Sequence, residues 1–197
     1  HDLKSPLNGV LGVAQLMADD ESLSPTHKQY ASMLKESGER LLSIVEESLS
    51  LYRMERGSYE LEPERVDTER LIMEIRREHE TILRHKSMSL EIRLKENTPP
   101  EPEGYAVYGE YMLCYSLFSN FIKNAVDASE GGESVIVTMR REGSEHIAVS
   151  VWNGKALPEK VRKNFGEKYT TVGKKRGTGF GIYSAILMAR TQGGEVR

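Results

Sequence analysis

Two short clusters of side chains in this chain have the types and spacing that chemistry on phosphates needs. The first is the apolar run Asn120-Phe121-Ile122-Lys123-Asn124-Ala125, and the second is Gly177-Thr178-Gly179-Phe180-Gly181. Residues four apart share one face of a helix, and neutral carboxamide oxygens suit a hard cation such as Mg²⁺ when phosphates accompany it. A glycine run that opens a helix gathers backbone N–H groups at the positive end of the helix dipole, where phosphates bind. Together the clusters predict two walls of one nucleotide pocket.

Each cluster taken alone has a purely structural interpretation. Glycines close many helices for conformational reasons, and two buried asparagines often do no more than satisfy each other's hydrogen bonds. The presence of both clusters in one chain favours the functional interpretation.

Cys114, which lies among apolar residues, is expected to be a small buried hydrophobic side chain and not a reactive thiol.

Composition sets the class of protein. The 197 residues are 38% hydrophobic, which is enough for one substantial core or two modest ones, and the net charge of −3 gives no indication of a nucleic-acid partner. No stretch approaches the ~20 apolar residues that a membrane span needs, so no membrane contact is expected. A single cysteine excludes a disulfide framework and suits a reducing compartment. Because the sequence begins at His1 and stops at Arg197 within an expected strand, we expect it to be part of a longer protein.

The elements that must position these clusters fall into two groups, of which the first is a helical hairpin. Apolar residues over 3–17 recur at helical spacing, and Ser24 followed by Pro25 predicts the start of a second helix that runs to about Gly57. The short polar connection predicts an antiparallel pair. A hairpin cannot bury two apolar stripes by itself, so a second copy forming a four-helix bundle is the simplest partner.

The second group mixes helices with strands. After a linker at 57–66, the pattern predicts a helix from Asp67 to about His85, a strand over 88–94, and a helix from Glu110 to Ser129 that carries both asparagines. Two alternating runs around Gly143 predict a β-hairpin. A long polar loop over 153–176 precedes a last helix over 179–192 and the beginning of a strand. The expected fold class is therefore α+β, a helical hairpin followed by an α/β sandwich.

Four motifs, in this order along the chain, resemble those of the sensor histidine kinases. His1-Asp2-Leu3-Lys4-Ser5-Pro6-Leu7 resembles the phosphoacceptor box, Asn120 to Ala125 the asparagine box, Phe165 to Tyr169 the phenylalanine box, and Gly177 to Gly181 the second glycine box. The resemblance implies a dimerisation and phosphoacceptor hairpin at 1–56, a linker at 57–66, and a Bergerat-type (GHKL-type) ATP-binding domain at 67–197. It also implies a cytoplasmic homodimer that uses ATP and Mg²⁺ to phosphorylate its own histidine and then a receiver domain of a response regulator. Any membrane anchor would lie upstream of residue 1.

The resemblance also implies a role for each matching residue. His1 would attack the γ-phosphate, because a neutral imidazole is a competent nucleophile near pH 7. Asp2 would orient the ring and accept its proton, and Ser5 would hold a water for dephosphorylation of the regulator. Asn124 is the expected Mg²⁺ ligand, with Asn120 beside it near the phosphates. The other expected nucleotide contacts are Asn153, Lys174, Gly177, Thr178, Gly179 and Gly181, although Lys174 also fits a solvated charge run.

Several residues depart from the family pattern. Asn153 stands where the family carries an aspartate that binds the adenine amine, and Lys155 replaces a glycine in the first glycine box. The loss of a charged hydrogen bond predicts roughly tenfold weaker nucleotide binding. Ser5 replaces threonine or asparagine, and Asp127 stands where many members carry lysine or another polar group. Two alternatives therefore stay open: a degenerate, non-catalytic signalling scaffold, or an ATPase of the wider fold class that releases free phosphate.

Overall fold

The computed structural model describes residues 4–95, 104–143, 146–157, 159–168 and 180–197, which form two compact units. The first unit comprises His1–Tyr59 and the second Glu60–Arg197. The boundary between them lies within the predicted linker at 57–66. No helix in the described ranges is both long and apolar enough to cross a membrane.

The first unit is an antiparallel pair of helices, α1 (Lys4–Asp19) and α2 (Pro25–Glu55). Ser24 begins α2 as predicted: its hydroxyl oxygen accepts a weak hydrogen bond from the His27 N–H at 3.4 Å, and Pro25 occupies the first helical position. Gly38 permits the helices to approach closely, because a Cβ built there would lie 2.7 Å from Cδ2 of Leu11. Gly38 of α2 thus makes room for the side chain of Leu11 of α1.

Much of the apolar surface of this hairpin remains exposed. Ala14, Ala31, Leu51 and Met54 are buried, but larger side chains on both helices are not. The exposed set is Val10, Val13, Leu16 and Met17 on α1, with Tyr30, Met33, Leu34, Leu41, Ile44, Leu49 and Tyr52 on α2. An exposed apolar face of this extent is typical of a protein–protein contact.

The second unit contains the remaining elements. They are β1 (Glu64–Asp67), α3 (Thr68–Glu78), α4 (Glu80–His85), β2 (Ser89–Lys95), β3 (Ala106–Gly109), α5 (Tyr111–Ala128), β4 (Ser134–Glu142), β5 (His146–Asn153), α6 (Glu159–Lys163) and α7 (Gly181–Thr191). Strands β2, β4 and β5 form a mixed sheet, in which β4 pairs parallel with β2 and antiparallel with β5. Strands β1 and β3 form a separate antiparallel pair. The predicted α+β class, a hairpin followed by an α/β sandwich, is confirmed.

The core of this unit lies between the mixed sheet and its helices. Val135, Val137 and Met139 of β4 are fully buried against Ile122 and Val126 of α5, with Leu71, Ile72 and Ile75 of α3 in the same cluster. Alternate residues of a strand point to the same face, so β4 presents a continuous apolar strip to α5. This strip fixes which side of α5 faces inward.

The structure corrects several sequence expectations. The single helix predicted from Asp67 to His85 is two helices separated at His79, although Asp67 does cap the first one by accepting from the Arg70 N–H at 3.0 Å. The end of the predicted linker is strand β1, and β3 and the short helix α6 were not predicted. Residues 194–197 are not a strand, contrary to the expectation for the end of the chain.

Candidate functional site

Helix α5 holds the two carboxamides in a fixed orientation. Its buried face, which includes Ile122, Ala125 and Val126, packs into the core, and this leaves Asn120 and Asn124 half-buried on an adjoining face. Asp127, which the sequence places near the phosphates, is exposed. The two asparagines are therefore held at the border between core and solvent, where a ligand can reach them without unfolding the helix.

Contacts from distant parts of the chain hold both ends of α5. At its start, Oε1 of Gln192 accepts hydrogen bonds from the Glu110 N–H at 2.8 Å and from the Cys114 thiol at 3.3 Å. At its end, the Lys86 ammonium donates to the carbonyls of Val126 at 3.1 Å and Ser129 at 3.4 Å, as a cation at a helix C-terminus should. Sequence reasoning missed both Gln192 and Lys86, because each acts on residues far away in the chain.

Cys114 is part of this support and is not a nucleophile. Burial raises the pKa of its thiol to about 11, so the reactive thiolate is scarce at neutral pH. The expectation that Cys114 is a structural residue agrees with this environment.

Gly181, the first residue of α7, lies directly against the asparagines. A Cβ built on Gly181 would be 3.0 Å from Oδ1 of Asn120 and 4.0 Å from Nδ2 of Asn124. This backbone does not need the left-handed conformations that favour glycine, since positive φ angles occur elsewhere among the described glycines and not at Gly181. The glycine is needed for close approach, and it brings the second cluster of the sequence to the first.

The start of α7 suits an anion. The helix begins after Phe180 without a side-chain hydrogen bond to cap it, and the first N–H groups of any helix form no bonds within that helix. Its dipole adds partial positive charge at this end. The amide groups of α5 and the positive end of α7 therefore meet at Gly181, which is an arrangement that can bind phosphates together with a cation.

Asn153 lies at the end of β5 on the same side of the sheet. It pairs with Val135 in the register that also pairs Val151 with Val137, and Val151 packs against the core that includes α5. Side chains alternate along a strand, so Asn153 and Val151 share the face that α5 covers.

Within the described ranges, the half-buried amides of Asn120 and Asn153 form no hydrogen bonds to protein groups, which leaves their polar atoms available to a ligand.

Lys155, which replaces a glycine of the family pattern, has a partner in the protein. Its ammonium forms an ion pair with Glu130, in the turn between α5 and β4, and this partner raises the pKa of the lysine. The side chain is therefore engaged by the turn that follows α5.

The first part of the long loop packs onto α7. Phe165 is half-buried, a Cβ on Gly166 would meet Cδ1 of Ile186 at 2.5 Å, and the Lys168 ammonium lies 4.9 Å from the centre of the Tyr183 ring. Gly166 and Lys168 therefore both lie against α7. The contact of Lys168 with Tyr183 was not predicted, and no spacing in the sequence indicates it.

Other predicted site residues lie outside the described ranges. These are His1, Asp2, Tyr169, Lys174, Gly177, Thr178 and Gly179, and their roles stay predictions. Ser5 is described: it is exposed in the first turn of α1, next to Pro6.

The described residues contain no group of three or more histidine, cysteine or acidic side chains that could hold a metal. A divalent cation at this site would therefore depend on amide oxygens and on oxygens of the ligand. Mg²⁺ fits such a donor set, because it is commonly held by one or two protein oxygens together with substrate phosphates and water.

Comparison with known families divides the chain in the same way. Residues 1–57 match the His Kinase A (phospho-acceptor) domain. Residues 109–197 match the family described as histidine kinase-, DNA gyrase B-, and HSP90-like ATPase.

Individual proteins extend this likeness over the whole chain. The sensor histidine kinase AruS of Pseudomonas aeruginosa is 30% identical over 213 aligned residues, which cover 100% of this chain and 20% of AruS. A crystal structure of full-length ShkA in complex with AMPPNP has a TM-score of 0.76 at 24% identity, covering 98% of this chain and 40% of ShkA. The structure of histidine kinase ThkA in complex with the response regulator TrrA has a TM-score of 0.50 at 21% identity, covering 87% of this chain and 48% of that one. This chain thus spans only a minor part of these proteins.

The close approach at Gly181 predicts the effect of Gly181→Ala. The added methyl group must displace the Asn120 side chain, so we expect the affinity for Mg·ATP to fall by about tenfold, the equivalent of ~1.4 kcal/mol. Thermal stability should be unchanged or slightly higher, because alanine favours helix over glycine. Isothermal titration calorimetry and a melting curve measure the two quantities.

Gly12→Ala is the matched control, since a Cβ at Gly12 has no neighbour within 4 Å. It should leave nucleotide affinity unchanged. Equal affinity in wild type and Gly181→Ala would contradict the close approach as a feature of the binding site.

Proposed function

Because the chain belongs to the sensor histidine kinases, we propose that it is an ATP-dependent histidine autokinase of a two-component system. The phosphoryl group passes from ATP to His1 and then to an aspartate on the receiver domain of a response regulator. The observation that carries the proposal is the contact of Gly181 with Asn120, which brings a phosphate-binding helix start beside two carboxamides.

The nucleotide lies between α5, α7 and the end of β5 in this proposal. Gly181 and the first turn of α7 bind phosphate oxygens, and Asn120 contacts the phosphates from α5. Asn153 binds the edge of the base. Lys174, Gly177, Thr178 and Gly179, which precede α7 in the sequence, complete the phosphate contacts. The nucleotide analogue in the ShkA structure supports ATP as the ligand of this fold.

Asn124 is the proposed protein ligand of Mg²⁺, through its amide oxygen. Bound Mg²⁺ would neutralise charge on the phosphate oxygens and so stabilise the transfer. The protein contributes position: α5 holds Asn124 one turn from Asn120, and a neutral amide adds no repulsion toward a triphosphate. Lys86 and Gln192 keep α5 in place and so act as positioning residues.

His1 is the proposed phosphoryl acceptor. An imidazole nitrogen forms the new N–P bond while the bond from phosphorus to the ADP oxygen breaks, and the ring proton passes to Asp2. Pro6 lies near the start of the described part of α1. Ser5, four residues after His1 in the sequence, is proposed to hold the water that dephosphorylates the regulator.

A homodimer through the helical hairpin completes the proposal. A second copy of the hairpin would bury the exposed apolar side chains of α1 and α2 by forming a four-helix bundle with them. The ThkA structure contains a response regulator, which supports a receiver domain as the further partner.

The assignment of Asn124 predicts a metal-specific defect. Asn124→Ala should weaken binding of Mg·ATP by at least about tenfold, while binding of ATP in excess EDTA changes little, because the lost oxygen contacts the metal. Calorimetric titrations with and without Mg²⁺ separate the two effects. Asn8→Ala, at an exposed position of α1, is the control. The same loss of affinity with and without Mg²⁺ would show that Asn124 does not ligate the metal.

The proposed activity predicts a labelled histidine. Incubation with Mg²⁺ and γ-labelled ATP should give protein-bound label that is stable to base, labile to acid and absent from His1→Ala. His27→Ala, which removes an exposed histidine of α2, should keep the label. Release of free phosphate without labelled protein would support the ATPase alternative. Bound ATP with neither product would support the non-catalytic scaffold.

A further inference from the structure

We propose that Asn153 allows the nucleotide site to accept 6-oxopurine nucleoside triphosphates as well as ATP. The inference rests on the proposed function, in which Asn153 binds the edge of the base. It concerns base specificity: an asparagine at this position would accept both kinds of purine, whereas an aspartate would favour adenine.

The register of the sheet determines where the side chain of Asn153 lies. In β5, Val149 and Val151 pair with Met139 and Val137, which are fully buried, and Asn153 pairs in the same way with buried Val135. Residues two apart share a face, so the amide is the polar end of an apolar strip beneath α5. The strip itself is covered by α5, so half-buried Asn153 is the part of it that a ligand can reach.

The amide of Asn153 is available for such a contact. It is half-buried, and it forms no hydrogen bond to the protein within the described part of the chain. Half-buried polar groups are normally satisfied, and a ligand edge would satisfy this one.

The end of β5 lies beside the turn between α5 and β4. Lys155 forms an ion pair with Glu130, and a carboxylate oxygen of Glu133 accepts from the Glu130 N–H at 2.8 Å. A Cβ on Gly154 would lie 3.7 Å from Oε1 of Glu133, so the turn and the end of β5 are neighbours. The ammonium of Lys155 is thus engaged by this turn.

A carboxamide can bind two kinds of purine edge from one position. The 6-amino group of adenine donates a hydrogen bond, which Oδ1 of asparagine accepts. A 6-oxopurine carries the acceptor O6 at the same place, and a half-turn of the amide lets Nδ2 donate to it. The terminal torsion of asparagine is broad and nearly two-fold, so the half-turn needs no change in the backbone.

A carboxylate cannot do the same, because it only accepts hydrogen bonds. It pairs with the 6-amino group of adenine, but it repels O6 of a 6-oxopurine held in the same orientation. Inosine triphosphate is the appropriate probe. Guanine carries an additional 2-amino donor, which would let a carboxylate bind N1–H and the 2-amino group together in a shifted orientation.

The test is calorimetric titration of wild type and Asn153→Asp with Mg·ATP and Mg·ITP. In wild type we expect the two dissociation constants to agree within about tenfold, since the amide forms one hydrogen bond with the 6-substituent of either base. In Asn153→Asp the preference for ATP should increase by at least about tenfold, because the carboxylate still accepts from the 6-amino group of adenine but repels O6 of ITP. Asn8→Asp adds the same charge on α1 and should leave the ratio unchanged.

The outcomes separate this inference from the proposed function. Wild type that binds ATP but binds ITP a hundredfold more weakly would overturn the inference and leave the kinase proposal intact. An unchanged ATP to ITP ratio in Asn153→Asp would overturn it as well. Failure of folded wild type to bind either nucleotide would contradict both proposals.

Discussion

The close contact between Gly181 and Asn120 is the constraint on which the site depends. A side chain at Gly181 would occupy the space of the Asn120 amide, with a Cβ only 3.0 Å from Oδ1. The absence of that side chain lets the positive end of α7 approach the polar face of α5. Everything that positions these two helices therefore acts on the site: the buried strip of β4, which orients α5, and Gln192 of the segment after α7, which bonds to the start of α5. The packing of the core therefore determines the geometry of the candidate site.

The choice of amides over carboxylates has an energetic consequence. In the proposed site, Asn120 and Asn124 bring amide oxygens to the triphosphate and Asn153 brings an amide to the base, so none of the three adds negative charge beside the phosphates. Neutral oxygens also bind a divalent cation weakly, and the described residues contain no group of three or more acidic, histidine or cysteine side chains that would hold one unaided. Metal and nucleotide should therefore bind together, because the phosphates supply oxygen ligands to the metal and the metal neutralises charge on the phosphates. Such coupling suits phosphoryl transfer, in which charge neutralisation and position account for most of the catalysis.

Much of this arrangement follows from local patterns in the sequence. The 3.6-residue period places Asn120 and Asn124 on one helical face, alternation over 135–151 gives the β-hairpin, and Ser24 and Asp67 begin helices because their oxygens accept from backbone N–H groups. The contacts that hold these pieces together could not be predicted. Gln192 acts on Glu110 and Lys86 acts on Val126 across long stretches of chain, and no spacing encodes such pairs. Strands β1 and β3 have four residues each, too few to show a period, and they exist because they pair with each other. The orientation of Lys155 likewise depends on a tertiary partner, Glu130.

The central claim is that α5, α7 and the end of β5 form one site for Mg·ATP. The most direct measurement is a ¹⁵N NMR titration that follows the side-chain amide signals of Asn120, Asn124 and Asn153 as Mg·AMPPNP is added. The account predicts that all three signals shift with one common dissociation constant, while the amide signal of Asn8 in the hairpin stays in place. Nucleotide binding that leaves the three asparagine signals unchanged would contradict the account.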